Sequence, residues 1–356
     1  MNYRITVIAV VLSLCAGITR LNAQLDNDNL KYKLAIDSLD NGNLYFGLNT
    51  LNFFRNTEYF GSIEKGKTYF GYLLNPKLTY YPTSNVRIDF GGMFRKDFGA
   101  DKFPISAPTF SIKYEKNGFA AVFGNYEGAM NHGFIEPLFN IENAVNKPLE
   151  NGLQFKVNRK RVQSDTWIDW QRMIYYDSPF KEEISGGTSN MFTVYGAEKQ
   201  FKISIPFQGV VHHFGGQIDT LNSTPLSTEF NFAYGLRLSY EFVDSSFFKE
   251  IRSDNYFVTF SDQSHVKVLP YSSGEGVYLN LLLRTKLLNV MMSYWEGNQF
   301  ISPNGTFIYQ SSNSFQPGSV LAVERYRSLF FVRLIYEKEL ARNLLFNFRF
   351  EPFYTS

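Results

Sequence analysis

Residues 228–242, TEFNFAYGLRLSYEF, alternate without a break. Phe230, Phe232, Tyr234, Leu236, Leu238, Tyr240 and Phe242 are large and apolar, while Asn231, Ala233, Gly235, Arg237, Ser239 and Glu241 between them are small, polar or charged. A period of two describes a strand with one dry and one wet face. Strands of water-soluble sandwiches run to about five or six residues, and this alternation lasts far longer. A tilted strand crossing a bilayer needs roughly 9 to 11 residues, with lipid-facing and lumen-facing positions in turn. The length of the pattern therefore selects a strand that spans a membrane.

The N-terminus supports that destination. Arg4 precedes an apolar run over residues 5–16, and Leu21-Asn22-Ala23 before Gln24 fits a small-residue cleavage site, so residues 1–23 are expected to be a signal peptide and are set aside from the fold. The alternative, an anchor helix, is disfavoured because Gly17 and Arg20 end the run too early. Lipidation at Cys15 is disfavoured by the bulk of Leu14. Cys15 is also the single cysteine of the chain, so after cleavage no disulfide, thiolate metal site or cysteine nucleophile is available. Loss of Arg4 and Arg20 with the leader brings the 35 basic residues level with the 33 acidic ones, and no basic stripe points to nucleic acid.

Composition adds a second argument. With 36 Phe and 23 Tyr the chain is unusually aromatic, yet its mean hydropathy is −0.21, as expected when apolar side chains coat one face of each strand. The richest window, residues 277–295, is interrupted by Arg284 and Lys286, which excludes helical spans after the leader.

Residues 24–43 read as a polar periplasmic lead-in, and 44–356 as one barrel. Strands are expected over 44–52, a segment ending near 81, 86–94, 108–114, 119–124, 153–157, 165–174, 191–195, 201–207, 228–242, 256–260, 277–285, 287–295, 328–337 and 343–350. Tight turns at 82–85, 115–118 (with Asn117-Gly118, a hairpin signal), 158–161, 196–199 and 285–287 alternate with longer connections rich in Gly, Ser and Asn. Bacterial outer-membrane barrels pair short periplasmic turns with longer outer loops in this way, and carry even strand numbers. The expected fold is therefore all-β, a transmembrane antiparallel up-and-down barrel of about 16 strands, with 14 as the alternative. The strand missing from this reading is sought in residues 299–323, around Thr306 to Tyr309, and residues 247–251 are assigned a helical turn at the periplasmic rim.

Nine charged residues fall on wet faces and are candidate lumen-lining groups: Arg87, Asp89, Asp169, Arg237, Glu241, Arg284, Arg333, Arg349 and Glu351. They either tune permeation or pair with one another and plug the lumen. Residues 125–150 form the long loop most suited to function, and Phe134, Ile135, Leu138 and Phe139 make it too apolar to hang in water. It is expected to fold inward as a constriction or to pack on the rim, with Glu127, Asn131, His132 and Glu136 as its candidate functional residues. His132 and Glu136 also invite a catalytic reading, but no GxSxG nucleophile motif occurs. His212 and His213 are adjacent on a strand and so face opposite ways, which prevents them from jointly holding a metal. Tyr80, Tyr81, Trp170, Tyr175, Tyr176, Tyr294, Trp295, Phe353 and Tyr354 near strand ends are candidates for interfacial girdles.

The two-faced strands, alternating loop lengths and aromatic terminal strand NLLFNFRFEPFY resemble those of porin-like outer-membrane barrels of Gram-negative bacteria. The resemblance is architectural and transfers no functional residue. It implies passive passage of small hydrophilic solutes through a non-enzymatic channel without a cofactor or metal. The alternative is a closed barrel that binds surface glycan or serves an export or assembly complex. Expected partners are outer-membrane lipid and small solutes, with a homo-oligomer or an envelope protein as further possibilities.

Overall fold

The computed structural model describes residues 40–355 apart from 127–131, 217, 219–224, 244, 246 and 314–320. The expected signal peptide and nearly all of the lead-in lie outside the described residues. The rest is a run of strands: β1 (Leu44–Thr57), β2 (Lys67–Thr83), β3 (Val86–Asp97), β4 (Ile105–Lys116), β5 (Phe119–Asn125), β6 (Asn151–Asn158), β7 (Val162–Arg172), β8 (Glu183–Tyr195), β9 (Phe201–Phe214) and β10 (Ser227–Glu241). These are followed by β11 (Phe248–Asp262), β12 (Ser273–Thr285), β13 (Asn289–Asn298), β14 (Tyr326–Ala341), β15 (Leu344–Phe350) and β16 (Phe353–Thr355). Each strand from β1 to β14 pairs with the next in a single sheet of 16 strands, β16 also pairs with β14, and every pairing is antiparallel. Among the described residues no helix is long and apolar enough to cross a membrane.

The sixteenth strand is not in residues 299–323, where a buried 3-10 turn, Phe307–Tyr309, occupies the expected place. It is β16, which pairs with β14 beyond the end of β15. Pro352 separates the two pieces because it has no N–H to give the ladder, although its carbonyl still accepts from Val332 N at 3.0 Å. The helical turn expected over 247–251 is corrected as well: these residues run into β11, where Ile251 faces outward and Glu250 and Arg252 are buried. Two apolar residues followed by two charged ones carry no period of two, and it is pairing with β12, Glu250 opposite Arg284 and Ile251 opposite Leu283, that makes them strand.

Alternation decides what faces lipid. On β10, Tyr234, Leu236, Leu238 and Tyr240 are exposed, while Asn231, Ala233 and Ser239 are buried on the other side. The same band of exposed Phe, Leu and Tyr recurs on β1, β3 and β15, as a barrel bathed in acyl chains requires. The girdle expectation needs correction at three residues, one of them Phe353, which lies opposite the buried Phe331 with its ring 5.5 Å away and packs on the inner cluster. Tyr81 (1% exposed) and Trp295 (0%) point inward, because their chain neighbours Tyr80 (43%) and Tyr294 (36%) take the outward positions. At the long-loop end the two edges of the sheet approach each other, with the Tyr59 ring 5.6 Å from that of Phe353.

The tight turns have the backbone they need. Asn117 and Gly118 both have positive φ, 52° and 73°, as a two-residue hairpin turn demands. A Cβ on Gly118 would also lie 2.4 Å from the carbonyl oxygen of Asn158.

Barrels of this strand number ordinarily leave an aqueous channel. Here the long connections after β5 and β13 fold into the barrel instead. Phe134, Ile135, Leu138 and Phe139 from the first and Phe300, Ile301, Ile308 and Tyr309 from the second form one buried cluster with Trp167, Val210, Ala233, Val258, Trp295 and Phe331 of the wall. Fully burying side chains of this size stabilises by about 1.5 to 3 kcal/mol each. The wall is shaped to receive them: a Cβ on Gly187 would meet Phe134 and Trp167, each at 3.0 Å.

Candidate functional site

The inward loop is held by two charged anchors. Glu136 accepts hydrogen bonds from the hydroxyls of Tyr309 (2.7 Å) and Tyr278 (3.1 Å) and pairs with the guanidinium of Arg333. Arg333 in turn donates to Ser293 Oγ at 2.6 Å and pairs with Glu351 at 3.2 Å. The second anchor is His132, which is 2% exposed. Its Nε2 donates to Glu150 at 2.8 Å and its Nδ1 to Asp165 at 3.1 Å. Gln154 donates to both oxygens of Asp165, and Trp167 stacks on the imidazole with centroids 4.8 Å apart.

Burial pulls the pKa of His132 down, but Glu150 and Asp165 outweigh it and hold the value up at about 9. The ring is thus an imidazolium at neutral pH and cannot act as a base in this arrangement. His132 also has a φ of 49°, followed by 74° at Gly133, so the surrounding contacts hold a non-glycine residue in the left-handed region.

Glu150 leads to a cleft of about 290 Å³ at the long-loop end. Glu150, Asp169 and Glu183 line it together with Lys147 and Arg172, the amides of Asn143, Asn151, Gln171 and Asn304, and the apolar Ile105, Phe139, Pro148 and Leu149. Asp169 accepts the backbone N–H of Asn151 at 2.6 Å. On the β8 side Glu183 faces His212 Nε2 at 3.4 Å, and His212 Nδ1 meets Glu229 at 3.1 Å. Two of the cleft's carboxylates, Glu150 and Glu183, are therefore each backed by a histidine that a further carboxylate holds. Cross-strand pairing sets the rest of this row: Asp169 lies opposite Ser185, Ser185 opposite His212, and His212 opposite Glu229. Ser185 Oγ donates to Asn304 Oδ1 at 3.2 Å.

The other candidates from the sequence scatter over the interior. Arg87 pairs with Asp89 (2.9 Å), Arg237 with Asp254 (2.6 Å), Arg284 with Glu250 (3.3 Å) and Glu241 with Lys202. Arg349 donates to Asn347 at 3.0 Å. Glu127 and Asn131 lie outside the described residues. His132 and Glu136 have separate partners and do not form one site. His212 and His213 likewise diverge, since His213 Nδ1 contacts Thr228 Oγ1 at 2.8 Å. Among the described residues no group of three or more His, Cys, Asp or Glu is arranged to hold a metal ion.

Sequence reasoning did not single out Glu150, Asp165, Glu183 or Glu229. One signal was present: Asp165, Trp167 and Asp169 alternate, which places them on one face of β7. That the loop would bring His132 and Glu150 onto that face is a long-range contact that no local pattern encodes.

Comparison with known proteins adds the following. The outer membrane protein OprD from Pseudomonas aeruginosa is similar in structure at 9% identity and a TM-score of 0.38, over 88% of this chain and 87% of that one. No curated protein matches. The family described as lipid A 3'-O-deacylase-type matches residues 36–356. That match overturns the expectation of a non-enzymatic channel, because the family is named for an enzyme activity. A barrel scaffold alone cannot separate the two, since function resides in a site placed upon it. By a match that spans nearly all of its length, the chain belongs to the lipid A 3'-O-deacylase-type family.

Proposed function

We propose that the protein is an outer-membrane hydrolase that removes an ester-linked acyl chain from a glycolipid of the lipid A type. The observation that carries this reading is the family match over residues 36–356. The cleft is consistent with it. It lies at the long-loop end, which faces outward in bacterial barrels. It also combines carboxylates for proton transfer with Lys147 and Arg172 for anionic groups, and Phe139 and Leu149 for hydrocarbon. The test is incubation of the detergent-purified barrel with lipid A, followed by mass spectrometry of lipid and free fatty acid. Loss of one ester-linked acyl chain with release of the matching acid is expected. Lipid A that stays intact after exhaustive incubation would sink the reading.

Passive diffusion of small hydrophilic solutes is the second reading, supported by the mixed charge of the inner wall. It requires a continuous wet path, and the two inward connections with their buried cluster stand against one. A closed barrel that binds surface glycan draws support from the same filled interior and from the amide-rich cleft.

A further inference from the structure

We propose that residues 30–39 form the strand that closes the barrel, annealing between the free edges of β1 and β15. The closure does not depend on what the cleft catalyses.

The sheet has two ends, for among the described residues no ladder joins β1 to β15 or β16. These three strands alone of the sixteen contain no buried residue. Their outward side chains are apolar, with Phe46 and Leu48 exposed on β1 and Phe346 and Phe348 on β15. Both edges therefore lie in hydrocarbon, where no water can satisfy a row of N–H and C=O groups and an open sheet edge is not tolerated. At the long-loop end side chains bridge the seam: the Tyr59 ring meets that of Phe353, and Ser62 Oγ donates to Glu324 at 3.0 Å. The strand to be supplied belongs below that bridge.

Its direction is fixed. An even number of antiparallel steps separates β1 from β15, so both run toward the long-loop end and direct pairing between them would be parallel. A second copy inserted in the same orientation offers edges of that same direction, and lipid offers no row of donors and acceptors. β15 and β16 share one strand position beside β14, which leaves an odd number of positions. One further strand, running the other way, makes the barrel even and antiparallel throughout.

Residues 30–39, LKYKLAIDSL, have the pattern this place requires. Leu30, Tyr32, Leu34 and Ile36 alternate with Lys31, Lys33, Ala35 and Asp37, a period of two like that of β10. The length matches the roughly 9 to 11 residues of a tilted membrane strand. The chain reverses between this segment and β1: Asn43 N donates to the Asp40 carbonyl at 2.9 Å, the Tyr45 hydroxyl donates to Asp40 Oδ1 at 2.6 Å, and Gly42 has a φ of 81°. A three-residue loop whose last residue is left-handed is a common hairpin connection. With Asp40, Asn41 and Gly42 as that loop, Ile36 stands opposite Phe46, Leu34 opposite Leu48 and Lys33 opposite Asn49. The apolar row then meets lipid beside Phe46 and Leu48, and Lys31, Lys33 and Asp37 face the lumen.

Cys15 is the single cysteine of the sequence, so pairs introduced into a Cys15→Ala background report alone. Mild oxidation of the full chain in isolated outer membranes is expected to join Lys33→Cys to Asn49→Cys within one chain, and Lys33→Cys to Asn347→Cys or Arg349→Cys. The pair Leu34→Cys/Asn49→Cys, with side chains on opposite faces, should stay reduced. Trypsin should cut folded wild type after Lys31 and Lys33 about 100-fold or more slowly than heat-unfolded protein, and this arm stands even where a variant fails to fold. Cleavage there at the unfolded rate, disulfides that form only between two chains, or a link to β1 with none to β15 would overturn the closure.

Discussion

At the scale of single residues, His132 carries the clearest energetic consequence. Its pKa of about 9 in the folded state stands above the ordinary 6.5, so folding is linked to its protonation. The stabilisation is fully present below pH 6.5 and is lost as pH rises through about 9, leaving Glu150 and Asp165 to repel each other across a neutral ring. From the size of the shift it is on the order of 3 kcal/mol. Chymotrypsin cleavage after Phe139, a buried residue of the same loop followed by Asn140, should therefore quicken between pH 7 and pH 10 in wild type. It should be fast at both values in His132→Ala. Cleavage in wild type that does not respond to pH relative to a control site would show that the imidazolium does not pin the loop.

The element that matters most is the connection between β5 and β6. Its apolar residues gave it away as a segment that packs, but the groups that fix its position come from five strands distant in sequence: Arg333, Tyr278, Gln208, Asp165 and Ser293. Removing one partner of a buried ion pair costs about 3 to 5 kcal/mol, because the other charge is stranded. For Glu136→Ala the lower end is expected, since Arg333 keeps Glu351 at 3.2 Å. The double variant Glu136→Ala/Arg333→Met should recover part of that loss. Thermal melts of the two variants in detergent decide it, and equal losses would mean that the pair is not coupled.

For the whole molecule, the decisive property is that the barrel is filled. Two inward connections and the paired charges of the wall occupy the space that a barrel of this strand number leaves open. Wild-type protein in planar bilayers is expected to show no stable conductance steps. Deletion of residues 133–149 with a short Gly-Ser bridge should produce them, because it removes half of the plug and leaves the strand ladder untouched. Steady conductance of the wild type would favour passage of solutes over a closed scaffold.

How much of this was legible beforehand follows from the range of the interactions involved. The period of two in residues 228–242, the turn at Asn117-Gly118 and the alternation of short and long connections are local, and they determined an antiparallel transmembrane barrel and which face of each strand meets lipid. The inward orientation of Tyr81 and Trp295 was implicit in the same alternation. The strand character of residues 247–251 was not, because Phe-Phe-Lys-Glu-Ile does not alternate and pairing with β12 alone draws residues 248–251 into β11. The cleft is different in kind. Glu150, Asp165, Asp169 and Glu183 become neighbours of His132 and His212 only when β6 to β9 pair in register and the loop descends among them. Contacts between residues far apart along the chain leave no periodicity to read. The sequence by itself therefore determined the wall of this protein, and the tertiary structure alone decided what fills the wall and where chemistry is placed.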